Sequence, residues 1–424
     1  MRKKWLFGLV CMLLLPFVGC NRQGSSSSAE DHVALFPAVA SDKWGFIDKT
    51  GSFVVEPQFD DIFIYGDSSE CLAQVKIGDK WGILDKAGKF VIKPQFDWIA
   101  IFSEGLAVVQ VGDKFGYIDK TGKFVIDPQF DRAENFSDGL AAVAIDGKYG
   151  FIDKTGKIII NPQFDGVLDV LLDEYDIKSL VSNFQEGLAA VQIDDKFGYI
   201  DKTGKVVINP QFDWAYGFSE GLARVEIGGK HGYIDKTGKI VINPQFDCVE
   251  DFSEGVAQVR IGNALGGKRG EIDRTGKYVV APQFDEIWPF YEGLAVVRIN
   301  GKHGYIDKTG KVVINPQFDW AYAFSDGLAP VAFEGKYGFI DKTGEFVLHP
   351  LFQEAYDFSE GLAAVVIDDK YGFIDKTGKY VIEPQFDWAE GFSEGLATVQ
   401  IGDKYGYIDK TGRKIYMWQL KDDI

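Results

Sequence analysis

A glycine preceded by an aromatic or comparable residue returns through the whole chain, at Gly45, Gly82, Gly116, Gly150, Gly198, Gly232, Gly270, Gly304, Gly338, Gly372 and Gly406. Seven of the ten intervals are 34 residues, and the other three are 37, 48 and 38. Their extra residues fall near 63–69, between Asp165 and Phe184, and at 262–267. A fixed period of this size means one supersecondary unit written many times, each copy burying its apolar face against the next.

Comparison of the copies shows what each unit needs. In Leu222, Ala223, Arg224, Val225, Glu226 and Ile227 the second, fourth and sixth positions read Ala, Val and Ile in nearly every copy, while the third and fifth vary between copies. Strict alternation predicts a strand with Ala, Val and Ile inward and the variable pair facing water. Asp146-Gly147 and Asn300-Gly301 follow in the position of a two-residue hairpin turn, for which Asp-Gly and Asn-Gly supply the required positive φ angles. A second strand holds the repeated glycine. Asp153-Lys154-Thr155-Gly156 then makes another turn, the Asp accepting backbone N–H groups and the Gly taking the left-handed conformation. The third strand is expected to stop at Pro162, which has no N–H for a ladder. Each unit is thus a three-stranded antiparallel meander plus a connector of the form PQFDWAYGFSEG. Only residues 167–180 have spacing that suits a short helix.

Lys43-Trp44-Gly45 and Lys80-Trp81-Gly82 carry the tripeptide of the bacterial WG repeat, also called KWG, and the chain resembles that family over about residues 33–418. Later copies replace the Trp by Phe115, Tyr149, Phe197, His231, Arg269, His303, Tyr337, Tyr371 and Tyr405. The resemblance implies an all-β repeat domain of bacterial surface or secreted proteins and supplies no catalytic activity. A unit of 34 residues and three strands is shorter than the usual four-stranded propeller blade. We therefore expect an open, superhelical, solenoid-like array of eleven units, with one or two β-propellers as the alternative.

The N-terminus reads as an export signal. Arg2, Lys3 and Lys4 precede an apolar run from Trp5 to Val18, too short to span a bilayer comfortably. Its end, Phe17-Val18-Gly19-Cys20, resembles a bacterial lipobox, with Phe17 where Leu is usual. The expected organisation is a signal peptide at 1–19, a lipid-anchor Cys20 with a flexible tether at 20–32, and the repeat domain at 33–424 with an insert at 165–183. The tether is polar and serine-rich. Membrane attachment is expected through the N-terminal lipid only, placing the chain in the bacterial cell envelope. A net charge of -18 argues against nucleic acid as a partner. Two body cysteines, Cys71 and Cys248, imply no disulfide framework.

Catalytic signatures are missing from the sequence. No nucleophile elbow, zincin or phosphate-loop motif is present. The repeated Asp of IDKTG and of PQFD each adjoin a turn, which accounts for them without a metal. The four histidines, His32, His231, His303 and His349, share no ligand or triad spacing. No cofactor is expected.

One position escapes the scaffold logic. The residue after PQFD is Trp98, Trp214, Trp320 or Trp388 in four copies and Asp, Arg, Gly, Cys or Glu in others. Two residues later stand Tyr216, Trp288, Tyr322 and Tyr356. A position that ranges from Trp to Arg is not deep core, and aromatics recurring along an array offer a stripe for stacking or anchoring. We expect a non-catalytic, envelope-anchored scaffold that binds a protein partner through this stripe, or alternatively a cell-envelope polysaccharide.

Overall fold

The computed structural model describes residues 34–64, 73–165, 183–263 and 266–419. The expected signal peptide, Cys20, the tether, Cys71 and the helix at 167–180 all lie outside them. Every regular element among the described residues is a strand, 42 in eleven antiparallel sheets. Nine sheets have four strands and two have three. The sheets are read as the blades of a β-propeller, the alternative that stood beside the open array. The chain divides into two units, residues 1–95 with 288–424, and residues 96–287.

The fourth sheet shows how one repeat is built. A short entry strand, Arg132–Ala133, pairs with Leu140–Ile145, which pairs with the glycine strand Lys148–Asp153, which pairs with the proline strand Ile158–Asp165. The sequence shows three of these. The fourth comes from the supposed connector, because the two residues after PQFD turn back and hydrogen-bond to the Ala-Val-Ile strand, as Arg132 does opposite Ala144.

Proline does not end its strand, contrary to expectation. Ile158–Asp165 runs through Pro162, with register shifts between Tyr149 and Phe151 and between Phe151 and Ile152 on the facing strand. This strand is the outer edge of its sheet. At a bulged edge a missing N–H breaks no ladder. The glycine of the WG pair makes room for the backbone of this edge strand: a Cβ on Gly150 would stand 2.6 Å from the Pro162 nitrogen.

The variable third position of the Ala-Val-Ile strand also departs from expectation. Val108, Ala142, Ala190, Val296, Pro330, Ala364 and Thr398 are buried. Within each unit, a sheet flanked by two others packs both faces on its neighbours, as the sheet of Leu140–Ile145 does, so neither face is left to water. The cores accordingly lie between sheets, as where Tyr117 and Phe130 meet Phe136, Ala141 and Val143 of the next repeat.

Polar ties repeat across these interfaces. In the second unit, Glu186 accepts the Gly221 N–H at 3.0 Å and pairs with Lys236 at 3.0 Å, and Lys236 also reaches the Glu186 carbonyl oxygen. Ser137 and Ser219 donate to the carbonyls of Phe184 and Phe252. The IDKTG aspartates cap their own turns: Asp119 accepts the N–H groups of Thr121 and Lys123 and the Thr121 hydroxyl. The PQFD aspartates tie hairpin to strand, Asp131 taking Lys114 at 2.6 Å and the Asp146 N–H at 2.8 Å.

Within the first unit, the first sheet packs on the last. Lys49 pairs with Glu394, Tyr407 donates to the Pro37 carbonyl and Tyr416 to the Val39 carbonyl. The first sheet lacks an entry strand. Phe36 stands where the other sheets carry Ala and meets Tyr407 edge-on at 5.4 Å, taking the role that Phe324 plays against Tyr305. A cavity of about 300 Å³ remains at this seam, lined by Phe36, Glu390, Ser393, Leu396, Thr398 and Tyr407 among others.

Candidate binding surface

Cross-strand register decides which side chains share a face. The residue after PQFD sits opposite the fifth residue of the Ala-Val-Ile strand, which sits opposite the aromatic of the WG pair: Trp320, Ala332 and Tyr337 form one such row. The aromatic two residues after PQFD+1 lies beside it. Three classes of position therefore converge, of which the sequence reading joined only two.

In the first unit these positions build a continuous aromatic run over three sheets. Trp288 meets Trp320 at 6.4 Å between ring centroids, Trp320 meets Tyr322 at 6.3 Å, and Tyr322 meets Tyr356 at 6.5 Å. Tyr356 stacks on Tyr371 at 5.9 Å, and their hydroxyls lie 3.2 Å apart. His303, Tyr337 and Tyr371, all from the position before the repeated glycine, are the members missed from sequence. His303 lies between Trp288 and Trp320, at 5.6 and 4.9 Å, only 2% exposed, its Nδ1 3.0 Å from the Asp319 carbonyl oxygen. Trp320 itself is 43% exposed. Trp388 also lies in this unit, half-buried and opposite Gln400.

Acidic groups border the run. Tyr356 donates to Glu354 at 2.6 Å. Burial raises the Tyr356 phenol, and the Glu354 hydrogen bond adds to it. Burial likewise pushes Tyr322 up to about 12, helped by Tyr337, Glu354 and Asp357. Asp357 still meets solvent, yet the protein around it excludes enough water to push its carboxyl up to about 6.

In the second unit the stripe residues fall in two places. Trp98 is 45% exposed and rests edge-on against Phe115 of its own sheet. Trp214 is half-buried between Phe197, at 4.7 Å, and Tyr216, at 6.3 Å. The Arg224 guanidinium lies 3.8 Å over the Tyr216 ring, pairs with Asp251 at 2.9 Å and donates to the Val249 carbonyl at 3.0 Å. Cys248 is a half-buried free thiol opposite Arg260.

A family model described as a WG containing repeat matches residues 44–81, 81–115, 115–149, 149–170, 179–197, 197–230, 232–263, 270–302, 304–337, 337–371 and 371–405. No curated protein matches the sequence. Among solved structures, the chain is similar to the extracellular domain of a putative hybrid two component system from B. thetaiotaomicron, at 11% identity and a TM-score of 0.28, over 93% of this chain and 64% of that one. It is also similar to BamB from Moraxella catarrhalis, at 11% identity and a TM-score of 0.26, over 78% and 98%. The chain thus spans slightly under two thirds of the first of these structures.

Proposed function

This chain belongs to the WG-repeat family, and from that premise we propose that it is a non-catalytic scaffold which binds a protein partner on an aromatic surface while a lipid on Cys20 holds it in the bacterial cell envelope. The observation that carries the reading is the run Trp288, Trp320, Tyr322, Tyr356 and Tyr371, connected ring to ring over three sheets. Rigid aromatics with polar tips, held by strands and partly open to solvent, are the side chains that dominate binding energy at protein interfaces. The leader with Gly19-Cys20 and the acidic composition support an exported, anchored chain that avoids nucleic acid.

Exposed Trp320 and Trp98 also favour a second reading, stacking on the sugar rings of an envelope polysaccharide. One experiment separates the two. The chain and its Trp288→Ala, Trp320→Ala, Tyr356→Ala variant are immobilised, and each is challenged with envelope proteins and with purified cell-wall glycan. Protein retained by the parent and lost from a folded variant supports the partner reading; glycan retained and lost in that way supports the second. Equal retention by both chains refutes both. For the anchor, Cys20→Ala should abolish palmitate labelling, and retained label would exclude lipidation at that residue.

A further inference from the structure

The repeats allow a site to be recognised by comparison with its own filled copy. In the second unit Tyr199 donates to the Tyr216 carbonyl at 2.7 Å, and the Tyr216 ring, the Asp251 carboxylate and the Val249 carbonyl together hold the guanidinium of Arg224. Ring face, carboxylate and carbonyl are the three elements that complement a planar, delocalised cation.

The first unit repeats this arrangement at the same spacings. Tyr305 donates to the Tyr322 carbonyl at 2.8 Å, as Tyr199 does to that of Tyr216. Asp357 stands at the position of Asp251 and Ala355 at that of Val249. The field of Asp357 reaches Tyr305 as that of Asp251 reaches Tyr199. The copies differ in the cation and in what flanks it: the position of Arg224 is Pro330, buried and without charge, while Tyr337 and Tyr356 stand where the filled copy has His231 and Glu250 and lie 6.4 and 6.5 Å from the Tyr322 ring. Asp357 has no ion-pair partner among the described residues, and burial raises its carboxyl with no opposing cation.

We propose that Tyr322, Asp357 and the Ala355 carbonyl form a receptor for a guanidinium group, supplied by an arginine side chain of the partner protein. The site deepens the reading of the aromatic run as a partner surface and rests on it, since Tyr322 is a member of that run. The occupant is a cation by charge complementarity: a carboxylate bordered by ring faces on a chain of net charge -18 repels anions. It is planar because the filled copy holds a planar group.

The test uses the whole chain. N-acetyl-arginine amide is titrated at pH 7.5 and the Asp357 carboxyl carbon followed by NMR, with the citrulline counterpart and methylguanidinium as comparisons. The arginine probe should shift Asp357 saturably, the citrulline probe should not, and Asp357→Asn should remove the binding-dependent changes at Tyr322. Pro330→Arg should supply the cation within the chain, lower the Asp357 titration midpoint by a unit or more and abolish the response to the probe. Should that variant not fold, Arg224→Ala opens the filled copy, and added N-acetyl-arginine amide should restore part of the melting temperature it loses. Absence of an Asp357 shift with the arginine probe, or equal shifts with arginine and citrulline, would overturn the proposal. Methylguanidinium binding as tightly as the capped arginine would assign the site to a free guanidinium and overturn the partner arginine. If the titration fails while the aromatic run still retains a protein, the receptor alone is refuted and the partner surface stands.

Discussion

Gly150 lies against the bulge at Pro162 so closely that a methyl group on it would stand 2.6 Å from the proline nitrogen. The same approach recurs between Gly232 and Pro244 and between Gly304 and Pro316. In the last sheet, where Lys414–Gln419 contains no proline, the strand pairs directly, Gly406 opposite Met417. The glycine is required there too, since a Cβ on Gly406 would stand 2.2 Å from the Tyr416 carbonyl oxygen; what crowds the glycine is the backbone of the edge strand, in which the proline sits in the other repeats.

Gly150→Ala should therefore destabilise the chain by about 3 kcal/mol, the upper end of overpacking costs, because backbone rather than a flexible side chain stands in the way. Gly139→Ala makes a useful comparison, since nothing lies within 4 Å of its Cβ position and only its φ of 84° opposes the change. Its cost should be about 1–2 kcal/mol. Urea midpoints of the two variants should fall in that order, and the reverse order would contradict the crowding edge-strand backbone as the reason for the glycine.

The seam between the first and last sheets depends on one large side chain in a position otherwise held by Ala. Phe36→Ala should cost about 3–5 kcal/mol, the usual range for a buried Phe. Denaturant unfolding measures it, and a loss under about 1 kcal/mol would mean that Phe36 does not fill the seam.

Two sets of carboxylates give opposite responses to pH. The turn aspartates Asp119, Asp201, Asp235 and Asp307 are held below the usual carboxylate range, chiefly by the Thr hydroxyl that each accepts. Their stabilisation is present above about pH 4 and is lost as pH falls through the lowered folded values. Asp357 runs the other way, because its charged form is disfavoured in the folded chain. Its penalty is full above about pH 6 and is relieved as pH falls from there toward its unfolded value near 4. Melting temperature followed from pH 7.5 downward should thus rise slightly toward pH 5 and then fall below pH 4. Asp357→Asn should flatten the rise, adding roughly 1–2 °C at pH 7.5, and leave the acid limb unchanged.

Tryptophans from the two environments should separate stability from surface. Trp418 is 4% exposed and packs on Tyr407 and Tyr416, so Trp418→Ala should cost about 3–5 kcal/mol. Trp98→Ala should cost under about 1 kcal/mol. Comparable losses by calorimetry would contradict the exposure assigned to Trp98.

Much of this fold is legible because repetition supplies its own comparison. Strand polarity, the hairpin dipeptides and the capping Asp of IDKTG follow from which positions the copies share. Pro162 misleads because the proline rule depends on whether a strand is an edge, and edge position is a property of the sheet. Val108 and Thr398 mislead because variability within a copy set marks tolerance, and a position between two sheets tolerates different apolar or small side chains once both neighbours change with it. The stripe is only partly legible. Trp320 and Tyr322 are near in sequence, but His303 and Tyr371 join the run through the register of separate strands. Asp357 becomes visible only when its copy, Asp251, is found holding Arg224.

The most direct test is the affinity for a retained envelope protein of Trp320→Ala beside Trp98→Ala. Both remove an exposed indole from the same repeat position, yet only Trp320 belongs to the connected run. Trp320→Ala should bind at least tenfold more weakly, a loss of about 1.4 kcal/mol, with Trp98→Ala close to the parent. Equal weakening by both, or none by Trp320→Ala, would contradict the connected run as the partner surface.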